Sequence, residues 1–238
     1  MTIHVEQTGI SPYAIFMILS FILGYIYVIF RMKKDHVPKQ IILYAVMLTF
    51  CCCVYFAVMY TVLFSGGMGF SSIGGVLGIL IGMFIMGWID KANREAVFRT
   101  FIQAIPLMYA VSKLGCFFVG CCHGIPYDGW MSLTYVGTAD HLPDCSVFPI
   151  QLLESIVFAG IFILACNLPK KYSNLIVMCT CCVAKFGLDY LRMSHVDQWI
   201  SVNQIFCLMI LAGTILYSWI NSGIPRYSTR PESARHHH

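Results

Sequence analysis

One stretch of this sequence decides how the rest is interpreted: Lys113-Leu-Gly-Cys-Phe-Phe-Val-Gly-Cys-Cys-His-Gly124. This stretch ends a long apolar segment, carries a lysine there, and continues with glycines at which the chain is expected to turn. Lys113, Cys116 and Gly120 are spaced i, i+3 and i+7, so a helix presents them on one face. That face offers a positive charge, a thiol and bare backbone that a ligand can approach closely. The alternative is a lysine that extends from a helix end to the membrane surface.

The composition predicts an all-α polytopic membrane protein. The 238 residues are 58% hydrophobic and 11% charged, whereas a soluble domain averages roughly 25% charged residues. A membrane-spanning helix needs about 20 apolar residues. Seven stretches meet this requirement: 11–30, 40–64, 73–89, 98–118, 149–168, 172–192 and 199–221. We expect a single transmembrane domain over residues 1–225. Residues 226–238 are expected to be a cytoplasmic tail that ends in a remnant of a purification tag.

The distribution of cations predicts the orientation of this bundle. Lysine and arginine accumulate in cytoplasmic connections of membrane proteins. Twelve of the 15 follow the first, third, fifth and seventh helices: Arg31, Lys33, Lys34, Lys39, Lys91, Arg94, Arg99, Lys170, Lys171, Arg226, Arg230 and Arg235. We therefore expect a multi-pass membrane protein with its N-terminus outside and its C-terminus in the cytoplasm.

The three remaining cations are Lys113, Lys185 and Arg192, in the outer halves of helices four and six. Ionisable residues within membrane spans are functional candidates. Lys185, Asp189 and Arg192 share one face of helix six through i, i+4 and i+7 spacing. The alternative is that Lys185, Asp189 and Arg192 form ion pairs only with one another and bind no ligand. One carboxylate between two cations leaves a positive site, which with Lys113 predicts a phosphate pocket near the outer leaflet.

The longest connection is a small extracytoplasmic loop region, about residues 120–148, between helices four and five. Within it, Trp130-Met-Ser-Leu-Thr-Tyr-Val136 is a candidate short strand or interfacial segment. After the loop, Gln151 and Glu154 share a face at the start of helix five. They are expected to orient a polar ligand beside the cations, whereas Glu154 alone would also interact favourably with a helix N-terminus.

The cysteines predict no disulfide framework, because eight of the 12 lie inside apolar segments and resemble small buried hydrophobic residues. The other four lie at or beyond a helix end: Cys116, Cys121, Cys122 and Cys145. These four cysteines could instead form a metal site together with His123 or His141. The spacing matches no zinc motif, so we predict neither a metal nor a cofactor.

Four blocks of the sequence resemble, in order, motifs of the prolipoprotein diacylglyceryl transferase family. Lys113–Gly124 is similar to Arg-x-Gly-Asn-Phe-x-Asn-Gly-Glu-x-x-Gly. Phe148-Pro-Ile-Gln-Leu-Leu-Glu154 is similar to His-Pro-x-Gln-Leu-Tyr-Glu, and Lys185-Phe-Gly-Leu-Asp-Tyr-Leu-Arg192 to Arg-x-x-x-Glu-x-x-Arg. Gly66-Gly-Met-Gly-Phe70, with the glycines at 74 and 75, resembles Gly-Gly-Met-Ser-Phe-His-Gly-Gly. The resemblance covers nearly the whole chain.

The motifs differ from those of the family at chemically important positions. Lys113 and Lys185 replace arginines, which keeps the charge and loses the bidentate guanidinium fork. Cys116 replaces the asparagine of the first motif, and Cys121 replaces its glutamate. We therefore expect the protein to bind and use a phospholipid donor as the family does, whereas these motifs do not identify the acceptor.

The family's histidines before helices three and five are also missing, because Ile73 and Phe148 occupy those positions. His123 in the outer loop then becomes the candidate general base. A structural or metal-binding role for His123 is the alternative.

The resemblance implies a transferase that moves a diacylglyceryl group from phosphatidylglycerol to the lipobox cysteine of a prolipoprotein, releasing glycerol phosphate. The expected catalytic residues are Lys113, Lys185, Asp189, Arg192 and His123. The expected substrate-binding residues are Gly115, Cys116, Gly120, Cys121, Gly124, Gln151 and Glu154. One alternative is a transferase of the same fold with a lipid or glycan acceptor. Another is a non-catalytic lipid-binding or transport-accessory protein. No nucleic-acid partner is expected, since no basic patch lies on a soluble domain.

Overall fold

The computed structural model describes residues 2–4, 11–65, 69–136, 146–170, 173–193 and 199–222. All seven predicted helices are present in this part of the chain. They are α1 (Pro12–Lys34), α2 (Lys39–Ser65), α3 (Ser72–Ile89), α4 (Arg94–Val119), α5 (Ile150–Asn167), α6 (Ser173–Asp189) and α7 (Val202–Ser222). The predicted tail at 226–238, together with Cys145 and His141, lies outside the described residues, so predictions for those positions stay predictions.

Six of these seven helices are long and apolar enough to cross a membrane. The exception is α6, which has 17 residues and carries two charges near its end. The sequence predicted a helix over 172–192, so Arg192 was wrongly placed on it. The helix ends at Asp189 because the next residues pair with the outer loop instead. Ile125 donates its N–H to the Leu191 carbonyl (3.0 Å), and Met193 donates to the His123 carbonyl (3.0 Å).

A short parallel sheet adds to the predicted all-α architecture. Strand β1 (Thr2–His4) pairs with β2 (Thr134–Val136) in the register Thr2 to Thr134 and His4 to Val136. The predicted strand over 130–136 is therefore confirmed for its last three residues. The pairing also brings the N-terminal segment to the same end of the bundle as the outer loop, which fits the predicted seven-helix order.

Helix α4 lies at the centre of the bundle and contacts α1, α3, α5 and α6. Its buried residues extend along most of its length, from Val97 to Cys116, and include polar and charged side chains. The helices at the periphery of the bundle instead expose large apolar side chains, such as Phe30 of α1 and Leu63 of α2. This distribution is typical of helices that face lipid, because lipid solvates apolar surface as well as a protein core does.

The glycine-rich face of α3 packs directly on the backbone of α2. A Cβ atom at Gly74, Gly78 or Gly82 would lie within 2.8 Å of a backbone atom of α2. These glycines recur every four residues and so form one face of the helix. The glycines thus allow the backbones of α2 and α3 to approach closely.

The segments predicted to be cytoplasmic meet at one end of the bundle. Asp35, which follows α1, accepts a hydrogen bond from Arg99 at the start of α4 and another from Lys170 after α5 (3.0 Å). Burial raises the pKa of Asp35, but the hydrogen bonds from Lys170 and Arg99 outweigh this effect and hold that pKa below its usual value. The three connections thus lie on one side, as predicted, while the orientation of that side stays a prediction.

A pair of glycine variants tests the α2–α3 contact. Gly78→Ala should lower the free energy of unfolding by about 2 kcal/mol, because its Cβ would lie 2.3 Å from the Cys52 carbonyl oxygen. Gly160→Ala on α5 meets no atom within 4 Å and should raise stability by up to about 1 kcal/mol through helix propensity. Thermal unfolding in detergent measures both. Equal effects of the two variants would contradict the packing account.

The acid dependence of stability tests the Asp35 cluster. Asp35→Asn should lower the free energy of unfolding by about 2 kcal/mol at neutral pH. The folded pKa lies below the unfolded value of about 4, so the stabilisation is present above that pH and is lost as the pH falls. The difference between wild type and variant should therefore shrink in acid. Unfolding curves between pH 7 and pH 3 measure it, with the exposed Asp128→Asn as control; a pH-independent difference argues against the pairing.

Candidate active site

The charged side chains of the outer half meet at one buried carboxylate. Glu154 on α5 has no exposed surface. Its oxygens lie 3.1 Å from Lys113 Nζ, 2.8 Å from Lys185 Nζ and 2.9 Å from Arg192 Nη2. The three cations are therefore brought together as predicted. The sequence predicts Asp189 between Lys185 and Arg192 and places Glu154 beside the cations; the structure shows that Glu154 contacts all three.

Asp189 is the second carboxylate of this cluster. Its Oδ1 lies 3.1 Å from Lys185 Nζ and 3.5 Å from Arg192 Nε, and its Oδ2 accepts a short hydrogen bond from the Ser201 hydroxyl. With Glu154, it leaves one positive charge in excess among the five charged groups. We refer to Lys113, Glu154, Lys185, Asp189 and Arg192 as the charged cluster.

Tyr109 is a member of this site that the sequence analysis missed. Its hydroxyl donates to Glu154 Oε1 at 3.0 Å, and its ring centroid lies 5.1 Å from Lys113 Nζ and 5.8 Å from Lys185 Nζ. An aromatic ring at this distance attracts an ammonium group electrostatically. Tyr109 precedes Lys113 by four residues, so helical periodicity was the signal that could have identified it.

Ser201 is the second residue missed, and a local motif indicated it. Its hydroxyl accepts from the Gln204 N–H (3.1 Å), while the Gln204 side-chain oxygen accepts from the Ser201 N–H (3.1 Å). This reciprocal pair is a capping box, which Ser-x-x-Gln spacing predicts. Gln204 also donates to the Phe186 carbonyl (3.2 Å), so the start of α7 is fixed to α6 beside Asp189.

The glycines predicted to bind substrate have roles in the backbone. Gly120 ends α4 in the left-handed region (φ 69°), where glycine is favoured. A Cβ at Gly124 would lie 2.3 Å from the Phe148 carbonyl oxygen, and one at Gly115 would lie 2.8 Å from Phe16 Cβ on α1. These contacts account for the glycines by conformation and packing, and their contact with substrate stays a prediction.

Gln151 joins the outer loop to helix α5. It is fully buried and donates to the Cys121 carbonyl at 2.8 Å. Its side-chain oxygen is buried without a hydrogen-bond partner among the described residues. That oxygen can accept a hydrogen bond from a ligand, and the substrate-binding role of Gln151 stays a prediction.

His123, the predicted base, lies under the outer loop. Its side chain is mostly buried, and its ring centroid lies 5.7 Å from that of Tyr135. Its carbonyl receives the Met193 N–H one residue after Arg192. The loop is thereby fixed to the segment that carries Arg192, and the role of His123 as base stays a prediction.

Three thiols lie beside the charged cluster, one turn of α4 beyond Lys113. The sulfur atoms of Cys116, Cys121 and Cys122 are all within 4.8 Å of one another. Hydrogen bonds from the Cys116 and Cys121 thiols, together with the charges of Lys113 and Arg192, hold the pKa of Cys122 well below its usual value. The hydrogen bond with Cys116 raises the pKa of Cys121, and the hydrogen bond with Cys122 adds to this effect. The predicted substrate-binding residues Cys116 and Cys121 are thus neighbours.

Two apolar clefts lie beside the charged cluster and share the walls Ser72, Val76, Ile105 and Tyr109. The first has about 470 Å³ of empty space, open solvent at its mouth included, and extends between α1 and α3 to Tyr13 and Phe70. The second has about 510 Å³ by the same measure and extends between α6 and α7 to Lys185. Tyr109 therefore contacts both clefts and the charged cluster.

Two variants of Tyr109 separate its hydroxyl from its ring. Tyr109→Phe should lower the free energy of unfolding by about 1 kcal/mol, because Glu154 loses a buried donor. Tyr109→Leu should lower it further, because the ring beneath two ammonium groups is also lost. Thermal unfolding in detergent measures both, with the exposed Tyr44→Phe as control. A Tyr109→Phe variant as stable as this control would contradict the contact.

Comparisons with known proteins indicate the family of the chain. A family model described as prolipoprotein diacylglyceryl transferase matches residues 1–220. The chain is 27% identical over 164 residues to phosphatidylglycerol–prolipoprotein diacylglyceryl transferase 2 of Clostridium perfringens (strain 13 / Type A), covering 65% of this chain and 63% of that protein. It is also 27% identical over 106 residues to phosphatidylglycerol–prolipoprotein diacylglyceryl transferase of Dehalococcoides mccartyi (strain ATCC BAA-2266 / KCTC 15142 / 195), covering 44% and 41%.

The matched regions span less than two thirds of the length of these two relatives. The family model, in contrast, covers nearly all of the chain, including every residue of the charged cluster and the three thiols. The fold, the order of the motifs and this match lead to one conclusion. The chain belongs to the prolipoprotein diacylglyceryl transferase family.

Proposed function

We propose that this protein transfers a diacylglyceryl group from phosphatidylglycerol to a cysteine thiol of a prolipoprotein at the outer leaflet of the bacterial cytoplasmic membrane. The observation that carries the proposal is the convergence of three buried cations, Lys113, Lys185 and Arg192, beside two apolar clefts. A phospholipid donor combines the same two chemistries, an anionic phosphate and two hydrocarbon chains.

The clefts account for the lipid part of the donor. Each offers hydrocarbon walls, and they meet at Val76, Ile105 and Tyr109. Two acyl chains attached to one glycerol require two apolar paths that start from a common point. Lys185 lines the second cleft, so a phosphate joined to that glycerol would lie next to the charged cluster.

Phosphate binding requires an exchange of partners, because Glu154 already contacts the three cations. Lys185 and Arg192 contact Asp189 as well as Glu154, so they remain paired if one carboxylate contact is lost. Lys113 has one ion pair among the described residues, to Glu154 Oε2. We therefore infer that Lys113 exchanges Glu154 for the phosphate of the donor, while Asp189 keeps the other two cations in place.

The cluster then stabilises the leaving group. The acceptor thiolate attacks the glyceryl carbon that is bonded to the phosphate oxygen, a C–S bond forms, and the C–O bond breaks. The electron pair leaves on the phosphate oxygen of glycerol phosphate. Fixed cations beside this oxygen lower the transition-state energy because negative charge develops there. The thiol must lose its proton first, and His123 is the candidate base.

One observation favours a second candidate, transfer to a lipid or glycan acceptor. Ile73 occupies the position of a family histidine, and it lines the second cleft with hydrocarbon. A site without that imidazole has lost a group that could have served the acceptor thiol. This alternative keeps the same donor and the same charged cluster and differs only in the acceptor.

The experiment is incubation of the purified protein with labelled phosphatidylglycerol, with and without a lipobox peptide. We expect peptide-dependent release of glycerol phosphate and a lipid-modified peptide. Lys113→Ala and Lys185→Ala should lower the rate about 100-fold or more through loss of leaving-group stabilisation. Lys113→Arg, which restores the family's residue, should remain active, and the exposed Lys33→Ala is the control for loss of a surface charge.

Each other outcome has a defined meaning. Release of glycerol phosphate without peptide modification would support the second candidate. Binding of phosphatidylglycerol without turnover would contradict the transferase and support a non-catalytic lipid-binding protein. Full activity in correctly folded Lys113→Ala and Lys185→Ala variants would overturn the phosphate role of the charged cluster.

A further inference from the structure

Three thiols next to the charged cluster have no role in the transfer as described so far. Cys116 lies in the last turn of α4, and Cys121 and Cys122 lie in the turn that follows. The three sulfur atoms are within 4.8 Å of one another, and all three cysteines are free. Their spacing in the sequence matches no zinc motif, so their convergence became visible only in the folded turn.

The backbone of the turn is what brings the sulfurs together. Gly120 and Cys122 both have left-handed conformations, with φ values of 69° and 59°. A non-glycine residue rarely adopts a positive φ, because the Cβ atom makes it costly. The surrounding hydrogen bonds, from Cys121 N–H to the Cys116 carbonyl and from Gln151 to the Cys121 carbonyl, hold this conformation. Cys122 is thus kept beside the helix end in a strained turn.

The distances suit a thiophilic metal ion. Zinc binds thiolate sulfur at about 2.3 Å, and tetrahedral ligands at that distance are about 3.8 Å apart. Sulfurs within 4.8 Å of one another need to approach by about 1 Å at most to reach this geometry. A disulfide uses two thiols and leaves the third unused. The adjacent pair Cys121–Cys122 is also unfavourable for one, since neighbouring Cα atoms lie about 3.8 Å apart and disulfides require more.

The charges of the two clusters are complementary. A divalent ion with three thiolates carries one net negative charge. The charged cluster, with three cations and two carboxylates, carries one net positive charge. Lys113 lies one helical turn from Cys116, so the two clusters are neighbours. A metal–thiolate centre at this position would therefore neutralise the excess charge in a region of low dielectric, where uncompensated charge is costly.

We propose that Cys116, Cys121 and Cys122 bind one Zn²⁺ ion as thiolates and leave its fourth position open to the acceptor thiol. Three protein ligands with one open position are typical of catalytic zinc sites, whereas structural sites are closed by a fourth ligand. Cys122 is exposed and Cys121 is half-buried, so the open position is accessible from the loop side of the site. The metal site stands on the geometry alone, and its role toward the acceptor rests on the proposed function.

The role follows from the chemistry of thiols. A thiol that coordinates Zn²⁺ loses its proton, which passes to His123, the candidate base named above, and it binds as thiolate. The same sulfur then attacks the glyceryl carbon, forming the C–S bond as the C–O bond to phosphate breaks. Glycerol phosphate leaves with the electron pair, and no oxidant or reductant is required. This activation would replace the imidazoles that the chain lacks at Ile73 and Phe148.

The direct test is the metal content of the full chain, purified in detergent with a reductant and without chelators. After incubation with Zn²⁺ and removal of the free ion, we expect about one zinc ion per chain by inductively coupled plasma mass spectrometry. Cys121→Ser and Cys122→Ser should each lower this content at least tenfold. Cys51→Ser and Cys166→Ser, which change exposed cysteines outside the cluster, are matched controls and should retain the metal.

Cobalt provides a second readout that reports the ligands. Co²⁺ bound in place of Zn²⁺ should give a sulfur-to-metal charge-transfer band that disappears in Cys122→Ser. Cys122 is exposed, so this variant is expected to fold, and gel filtration and thermal unfolding check that it does. A folded, fully reduced wild-type chain that binds no stoichiometric metal would overturn the proposal. So would cluster variants that bind as much metal as the two controls.

The transfer assay separates this proposal from the proposed function. Removal of zinc should abolish peptide modification and leave phosphatidylglycerol binding unchanged, and restored Zn²⁺ should recover the activity. Peptide modification at full rate by metal-free protein would overturn the role toward the acceptor. Stoichiometric zinc on three cysteines, with no transfer to any acceptor, would support the metal site and count against the proposed function.

Discussion

The ion pairs of the buried Glu154 carboxylate are the interactions on which the loop-bearing end of this bundle depends. A charged group away from water is costly unless it is paired and hydrogen-bonded, and the same is true of the cations around it. Lys113, Lys185 and Arg192 come from α4, α6 and the segment after α6, and each contacts Glu154 on α5. These contacts join α5 to α4, to α6 and to the segment after α6, so the one carboxylate holds all four elements together.

The outer turn is held by the same elements. Arg192 is positioned by backbone pairing between 191–193 and the loop at 123–125, and that loop is fixed to α5 by Gln151 and by the close approach of Gly124 to Phe148. The charged cluster and the thiols therefore share one scaffold. A change that shifts the turn would move both the charged cluster and the sulfurs beside it. A Cβ at Gly124, which would meet the Phe148 carbonyl, is such a change.

A phospholipid and this site have the same division of polar and apolar surface. Tyr109 lines both apolar clefts, two ammonium groups lie over its ring, and its hydroxyl bonds to the carboxylate that pairs with the cations. The side chain of Tyr109 is suited to this boundary, because its ring packs against hydrocarbon while its hydroxyl bonds to Glu154. The central, buried helix α4 supplies this tyrosine together with Lys113 and Cys116, so one helix carries a lipid wall, a cation and a thiol.

The sequence by itself determined the class of protein, the seven helices, the three outer cations and the family motifs. These properties are local, because apolar length and helical spacing follow from neighbouring residues. Tyr109 and Ser201 were also accessible to such reasoning, through i, i+4 spacing and a capping box. Tertiary structure decided that Glu154 contacts all three cations, that α6 ends before Arg192, and that three sulfurs converge. Each of these depends on how separate helices and an irregular turn meet, and contacts between distant segments leave no periodic signal in the chain.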